Sequence, residues 1–190
     1  VEPMEIVRRE IIPALDAVGR GFEEKRVYLP QLLMSAEAAG CAFERIKAAM
    51  AARPAQRARR CRVVLATVQG DIHDIGKNIV RLLLENYGFP VTDLGRDVAP
   101  ARVLEAVVRL HAPLLGLSAL MTTTVPAMEE TIRLIRSSAP WCRIMVGGAV
   151  LTAEYAEQIG ADRYAADAMA SVRYAESIEE TLPPEPPAGG

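Results

Sequence analysis

The feature that most constrains the fold is a regular alternation, from residue 62 to residue 180, of short apolar runs with stretches of helical periodicity. The first run, residues 63–68, is rich in valine, and leucine and isoleucine at helical spacing follow it after a loop. Strands that alternate with helices in this way predict an α/β fold: a doubly wound, five-stranded parallel sheet with right-handed crossovers. The predicted strands are residues 63–68, 90–94, 114–119, 143–146 and 163–165.

The N-terminal part of the chain has only the helical period. From Met4 to about Val18 the apolar residues recur at intervals of three and four, and Gly19 and Gly21 are expected to end this helix. A second helix is predicted from near Pro30 to about residue 50, since proline is well tolerated in a first turn. Two helices alone bury little surface, so this hairpin is expected to pack on another part of a protein as a cap.

These changes of pattern predict a domain organisation. The helical cap covers residues 1–52, an arginine-rich linker residues 53–61, the α/β domain residues 62–180, and a flexible proline- and glycine-rich tail residues 181–190. The arginine-rich segment could bind an anion, although a solvated linker is the ordinary explanation of such a charge run.

Composition excludes several classes of protein. The 190 residues are 24% charged with a net charge of −2, which gives no electrostatic case for binding nucleic acid or an anionic membrane. No apolar run reaches the roughly 18 residues of a membrane span. The three cysteines are too far apart in sequence to suggest a zinc pair or a disulfide framework. A cytoplasmic protein is therefore expected.

Ligands of doubly wound sheets bind outside the carboxyl ends of the strands, where the strand order reverses. The familiar motifs of such sites are incomplete here. Gly70 and Gly76 have the wrong spacing for a nucleoside-triphosphate loop, Asn78 stands where that loop needs serine or threonine, and a dinucleotide fingerprint lacks its other glycine. Ser118 replaces the aspartate of a phosphorylated receiver domain, and Leu120 replaces the last glycine of a hydrolase elbow.

His73 is the chemically distinctive residue of the loop after the first strand. One of its ring nitrogens could bind a metal while the other donates to Asp71. A single histidine cannot hold a free metal ion, and His111 is expected far away, but one axial ligand suffices when the metal sits in a macrocycle. An ordinary solvent-exposed loop histidine is the alternative.

Three motifs fall at the predicted ends of strands one, three and four: Asp71-x-His73-x-x-Gly76, Ser118-x-Leu120 and Gly147-Gly148. Together they resemble the flavodoxin- or Rossmann-like cobalamin-binding domain that methionine synthases, corrinoid methyl-carrier proteins and some adenosylcobalamin mutases share. The resemblance covers about residues 62–178. The hairpin segments 12–19 and 28–33 resemble the helical cap of the first two groups. By this resemblance the chain is expected to start in the middle of the cap, without its earlier helices.

The resemblance implies a set of site residues. His73 would be the lower axial ligand to cobalt, in place of the cofactor's own base. Asp71 would accept the other imidazole N–H, and the hydroxyl of Thr124 would bond to Asp71, completing a ligand relay. The nucleotide tail would lie beside Ser118 and Thr122.

The remaining predicted cofactor contacts surround these residues. Gly147 and Gly148 would leave room for the nucleotide tail, because glycine lets the backbone approach a ligand closely. Gly76 and Leu120 belong to the binding motifs. Tyr28 and Leu32 of the cap, together with Met34, would shield the opposite face of the cofactor.

The function implied is a cobalamin module that carries a methyl group on cobalt (methylcobalamin), most like that of methionine synthase, between methyltetrahydrofolate and homocysteine. The first alternative is the corrinoid subunit of a methanol, methylamine or aryl-ether methyltransferase system. A cobalamin-dependent sensor is the non-enzymatic alternative, although the only tryptophan, Trp141, lies outside the cap. The partners expected are methyl-donor and methyl-acceptor methyltransferases and a reactivation partner, since this chain alone carries no complete catalytic site.

Overall fold

The computed structural model describes residues 3–51 and 61–182 and divides the chain into two compact units, Val1–Ala55 and Gln56–Gly190. Residues 53–60 of the predicted linker and most of the predicted tail lie outside the described residues. Within the described ranges, no helix is both long and apolar enough to cross a membrane.

The N-terminal unit is helical. Its elements are α1 (Pro3–Ile6), a π-helical turn (Val7–Ile11), α2 (Ile12–Glu23) and α3 (Leu29–Ala51). In the π-turn the N–H of Ile12 donates to the carbonyl of Val7, one residue beyond the usual α-helical partner. Pro13 follows directly, and its missing N–H is a recognised cause of such an irregularity.

Two glycines do not end the first helix, contrary to the expectation from sequence. The helix α2 continues through Gly19 and Gly21 to Glu23. A β-carbon on Gly21 would lie only 2.7 Å from a methyl group of Val27, so glycine gives the chain room to turn back. The glycine cost of about 1 kcal/mol in a helix is thus offset by packing at the turn. The predicted α3 is present, with Pro30 in its first turn.

The second unit contains the predicted α/β fold, which the structure confirms. Its strands are β1 (Val63–Thr67), β2 (Val91–Asp93), β3 (Leu114–Ser118), β4 (Arg143–Gly147) and β5 (Arg163–Tyr164). All pairs are parallel, in the order β2-β1-β3-β4-β5. The order reverses at β1 and β3, so the loops that follow these two strands flank the switch point.

The helices of this unit cover both faces of the sheet. They are α4 (Ile75–Asn86), α5 (Pro100–Leu110), α6 (Val125–Ser138), α7 (Ala153–Gln158) and α8 (Ala168–Thr181). Every residue of β1 is buried, which explains its uninterrupted apolar sequence. The helix α5 buries Val103, Ala106 and Val107 and exposes its opposite side. This packing holds the loops at the strand ends on a rigid base.

Candidate functional site

The two loops at the switch point meet at Asp71 and His73. The N–H of Leu120, in the loop after β3, donates to Oδ2 of Asp71 at 2.7 Å. The hydroxyl of Thr124 lies 3.0 Å from the same oxygen. The carboxylate of Asp71 therefore binds two residues that follow it in the sequence by 49 and 53 positions.

His73 is held on one side and open on the other. Its Nδ1 lies 2.8 Å from Oδ1 of Asp71, and its backbone N–H donates to that oxygen at 2.9 Å. The imidazole is 46% exposed. In the part of the chain that the structure describes, no residue bonds to Nε2 of His73. Since a carboxylate can only accept, the neutral imidazole carries its proton on Nδ1 and keeps a free electron pair on Nε2.

Asp71 is fully buried, yet it is ionised at neutral pH. Burial raises its pKa, but the N–H groups of Leu120 and His73, the imidazole and the Thr124 hydroxyl outweigh that effect and lower the pKa to about 2. The carboxylate thus remains an acceptor for the imidazole at any ordinary pH.

Thr124 ends a 3₁₀ turn, Thr122–Thr124, that leads into α6. Its hydroxyl is buried and can donate its single proton to Asp71 or to the carbonyl of Met121, which lies 2.8 Å away. Thr122, in contrast, is exposed at the rim of the same turn. The structure therefore places Thr124 against Asp71 and Thr122 at the surface.

Ser118 and Thr67 form a second connection between the two loops, and Thr67 was not singled out by the sequence. The hydroxyls of these residues lie 3.0 Å apart, and Thr67 Oγ1 lies 3.3 Å from the carbonyl of His73. Both residues end a strand, in directly opposed register. The sequence feature that could have identified this pair is an apolar run that ends in a hydroxyl-bearing residue, on each of two neighbouring strands.

Gly147 ends β4 beside β3, and Gly148 follows it. A β-carbon on Gly148 would lie 1.8 Å from the carbonyl oxygen of Ala119, and this glycine has a φ of 136°. The corresponding distance from Gly147 to the Ala165 oxygen is 3.3 Å. The backbone at Gly148 therefore requires glycine for its own packing, before any ligand is considered.

Gly76 differs from these two glycines. It lies in the first turn of α4, it is exposed, and a β-carbon placed on it meets no atom within 4 Å. Nothing in the described structure requires glycine there, so its absence of a side chain keeps the surface beside His73 open.

Lys77, at the position that corresponds to the lysine of a nucleoside-triphosphate loop, is engaged elsewhere. Its side chain is 2% exposed and its ammonium forms a short ion pair with Asp93 at the end of β2. Arg81 also lies near this carboxylate. A buried lysine that is paired in this way is unavailable to a phosphate, which agrees with the rejection of a triphosphate site.

Large apolar side chains are exposed in the same segments as His73. Ile72 is 62% exposed, Ile75 43% and Leu120 43%. No cluster of three His, Cys, Asp or Glu side chains suited to a metal ion occurs among residues 3–51 and 61–182. One accessible imidazole with apolar neighbours fits a metal held in a flat macrocycle, and it does not fit a free ion.

The predicted cap residues lie in the N-terminal unit. Tyr28 immediately precedes α3 and is 69% exposed, as is Met34, while Leu32 is half-buried. The N–H of Tyr28 donates to the side-chain oxygen of Gln31 at 2.7 Å. Their contact with a cofactor stays a prediction.

Two family models, each described as a B12 binding domain, match residues 1–47 and 61–173. Dimethylamine corrinoid protein 1 of Methanosarcina acetivorans is 37% identical over 180 residues, which are 94% of this chain and 84% of the relative. This chain belongs to the cobalamin-binding corrinoid proteins. Cobalamin is accordingly its cofactor, as the sequence predicted.

Other corrinoid proteins share this fold and sequence. Trimethylamine corrinoid protein 2 of Methanosarcina mazei is 37% identical, with 92% of this chain and 83% of the relative covered. The structure of the Methanosarcina barkeri monomethylamine corrinoid protein matches with a TM-score of 0.82 and 29% identity, over 94% of this chain and 84% of that one. The methanol:cobalamin methyltransferase complex of the same organism matches with a TM-score of 0.63 and 31% identity, over 95% and 69%. These relatives do not support a specific assignment to methionine synthase.

Proposed function

We propose that this corrinoid protein is a methyl carrier that holds cobalamin through His73 and exchanges a methyl group with methyltransferase proteins. The observation that carries the proposal is the pairing of His73 with buried Asp71, which leaves Nε2 of the imidazole accessible. When bound, cobalamin supplies a cobalt centre that accepts a methyl group from one protein and releases it to another.

The residues around His73 have distinct tasks in this proposal. Asp71 keeps the proton on Nδ1 and makes the imidazole a stronger ligand, because it accepts a charge-assisted hydrogen bond. Thr124 donates to Asp71 and so modulates how strongly that carboxylate attracts the imidazole proton. The relay lets the protein change the donor strength of His73 without moving the ring.

The second proposed region receives the nucleotide part of the cofactor. Ser118 at the end of β3 and Thr122 in the turn that follows would supply hydroxyls, and Gly147 and Gly148 would supply a bare backbone after β4. Leu120 would supply an apolar side chain to the cofactor, and Gly76 an open surface. Tyr28 and Leu32 are the candidate cofactor contacts in the helical unit.

We favour a methylamine or related methyltransferase system over methionine synthase as the enzyme system in which this chain carries methyl groups. The relatives at 36–38% identity are named for dimethylamine and trimethylamine, and a solved relative is a methanol methyltransferase complex. We therefore expect a methyl-donor methyltransferase, a methyl-acceptor methyltransferase and a reactivating protein as partners.

The first experiment is an absorbance titration of the apoprotein with cobalamin. We expect the spectrum of cobalamin whose own base is displaced, with histidine bound, and we expect His73→Ala to abolish it. The chain has a second histidine as a matched control: His111→Asn should keep the wild-type spectrum, because His111 precedes β3 at the opposite end of the sheet. A wild-type spectrum in His73→Ala contradicts the ligand assignment.

The second experiment addresses the methyl donor. The loaded protein, with its cobalt first reduced chemically to cobalt(I), is incubated with each methyltransferase encoded beside its gene and with methylamines, methanol or methyltetrahydrofolate in turn. Methylation of the cobalt, with release of the demethylated donor, is followed by absorbance. Methylation from an amine or methanol supports the preferred setting. Methylation from methyltetrahydrofolate alone favours the methionine synthase alternative.

A further inference from the structure

The segment that follows β2 departs from regular parallel pairing next to the candidate site. Thr67 donates its N–H to the carbonyl of Gly95 at 3.0 Å, and its own carbonyl accepts from the N–H of Val98 at 3.1 Å. In a regular parallel ladder, the residue that bonds to the N–H of Thr67 and the residue that bonds to its carbonyl would be two positions apart, with one residue between them. Here two residues, Arg96 and Asp97, lie between them, so the segment contains a β-bulge before Val68 pairs with Val98.

The bulge turns Asp97 toward the loop that carries His73. Asp97 has a left-handed φ of 53°, a conformation that aspartate tolerates better than most residues. Its N–H donates to the carbonyl of Asp71 at 2.9 Å. Its Oδ1 accepts the N–H of Gly70 at 2.7 Å. One residue thus holds the backbone of two consecutive residues, of which the second is the partner of His73.

The side-chain bond of Asp97 is not needed to form the sheet. Val98 resumes the pairing with β1, and it is Val98, at 1% exposure, that packs in the core, whereas Asp97 is exposed. The left-handed backbone is unfavourable for a residue that has a β-carbon. Bulges beside functional sites commonly re-aim a side chain, and here the bulge aims a carboxylate at the hinge between β1 and the His73 loop.

We propose that Asp97 is a positioning residue for the His73 ligand. It fixes the two peptides that flank this pair of residues, through the Gly70 N–H and the Asp71 carbonyl, and thereby the direction from which the Asp71 carboxylate meets Nδ1 of His73. The inference deepens the proposed function and rests on it only where cobalamin is used as the readout. Asp97 touches neither the imidazole nor, in this proposal, the cofactor.

Two variants separate the hydrogen bond from charge and from backbone strain. Asp97→Gly keeps the left-handed backbone and its N–H but removes the acceptor for Gly70. Asp97→Asn keeps an acceptor oxygen at the same place and removes the charge. Because residue 97 is exposed and glycine favours its backbone, both variants should fold, and thermal unfolding verifies this.

The first readouts use the apoprotein. We expect the Gly70 amide to exchange with solvent about tenfold faster in Asp97→Gly, because its bond to Oδ1 is lost. In ¹⁵N NMR, the fraction of His73 imidazole with its proton on Nδ1 should fall in the same variant. Asp97→Asn should restore both properties.

The last readout is the affinity for cobalamin bound through histidine. Loss of an outer partner of a metal ligand typically costs 10–100-fold, and a group one bond further out should cost about threefold to tenfold in Asp97→Gly. Asp97→Asn should bind as the wild type does. An unchanged His73 tautomer and affinity in Asp97→Gly, or equal losses in both variants, overturns the proposal. A wild type that does not bind cobalamin through His73 contradicts the proposed function instead, while the apoprotein results still decide the role of Asp97.

Discussion

At the scale of single residues, Asp71 sets both the orientation and the protonation of His73. The carboxylate is buried, its pKa is lowered to about 2, and it accepts from the imidazole, from two backbone N–H groups and from Thr124. The short spacing of Asp71 and His73 made their pairing predictable from sequence. The bond from Thr124 was expected only from the family resemblance and the bond from the Leu120 N–H was not predicted, because both join distant segments. The roles of Thr67, Asp93 and Asp97 were not predicted, since each depends on which strands become neighbours.

Thr124 provides a test at this scale. Thr124→Val removes the hydroxyl and keeps the shape, so we expect about 1 kcal/mol less stability and about threefold to tenfold weaker histidine-bound cobalamin. Chemical unfolding and calorimetric titration measure the two effects. Thr124→Ser keeps the donor and should match the wild type in affinity. A loss of affinity in the serine variant as large as in the valine variant would contradict the role assigned to the hydroxyl bond, because that variant retains the hydroxyl.

At the scale of elements, the sequence predicted most accurately the strands that are buried on both faces. The strands β1 and β3 are apolar up to their last residue because both faces are covered, and the predicted and observed ends agree within one residue. The first helix was predicted too short, because Gly21 serves the packing of Val27 and does not end the helix. Helix-breaking propensity was overridden there by a contact that local sequence does not show.

Gly76 tests whether a glycine without a packing role serves the ligand. Gly76→Ala should leave the apoprotein as stable or stabilise it by about 0.5–1 kcal/mol, because alanine favours a helix and meets no neighbour. The affinity for cobalamin should nevertheless fall about tenfold, as crowding of a contact typically costs 1–3 kcal/mol. Gly40→Ala is the matched control, since Gly40 is also helical and open. Equal cobalamin affinity in the Gly76 variant and the wild type would remove Gly76 from the site.

Asp162 is expected to make the free energy of unfolding depend on pH, through its bond to β4, the strand that ends at Gly147. Burial raises its pKa, but hydrogen bonds from Arg136 and the N–H of Ile144 outweigh burial, so the pKa lies below its usual value. The stabilisation is therefore complete above the unfolded-state pKa and is lost as pH falls through the lower, folded-state pKa.

The corresponding variant is Asp162→Asn. We expect about 2 kcal/mol less stability at pH 7 and a smaller further loss than in the wild type between about pH 5 and pH 2. Urea unfolding over that range measures both. Asp167→Asn is a suitable control, because asparagine caps a helix as well as aspartate does and the side chain of Asp167 is 64% exposed. Parallel stability curves for Asp162→Asn and the wild type would contradict the pKa assignment.

At the scale of the whole molecule, the chain consists of a helical unit and an α/β unit, and each matches a B12 binding domain model. Among its described residues, 61–182, the α/β unit contains the sheet, the helices α4 to α8 and the pairing of Asp71 with His73. The spacing of apolar residues distinguishes the two units, because the N-terminal unit has only the helical period whereas the α/β unit alternates between strand and helix patterns. The preference for a methylamine or related methyltransferase system came from comparison with relatives, because no described residue of the α/β unit identifies the methyl donor.

The unit Gln56–Gly190 is therefore expected to fold and to bind cobalamin by itself. At a cobalamin concentration of 100 times the Kd, binding should add about 2.7 kcal/mol, or roughly 10 °C in Tm, in differential scanning calorimetry. His73→Ala in the same unit should show a much smaller rise. A unit that does not unfold cooperatively, or whose Tm rises equally in the variant, contradicts this expectation.

The coordination of cobalt by His73 is the central claim, and electron paramagnetic resonance tests it most directly. The full chain is labelled with ¹⁵N only in histidine, loaded with cobalamin and reduced to the paramagnetic cobalt(II) form. We predict that the axial splitting changes from a triplet to a doublet, that His111→Asn keeps the doublet, and that His73→Ala loses it. A triplet that persists in the labelled wild-type protein would mean that the cofactor's own base, or another group, binds the cobalt.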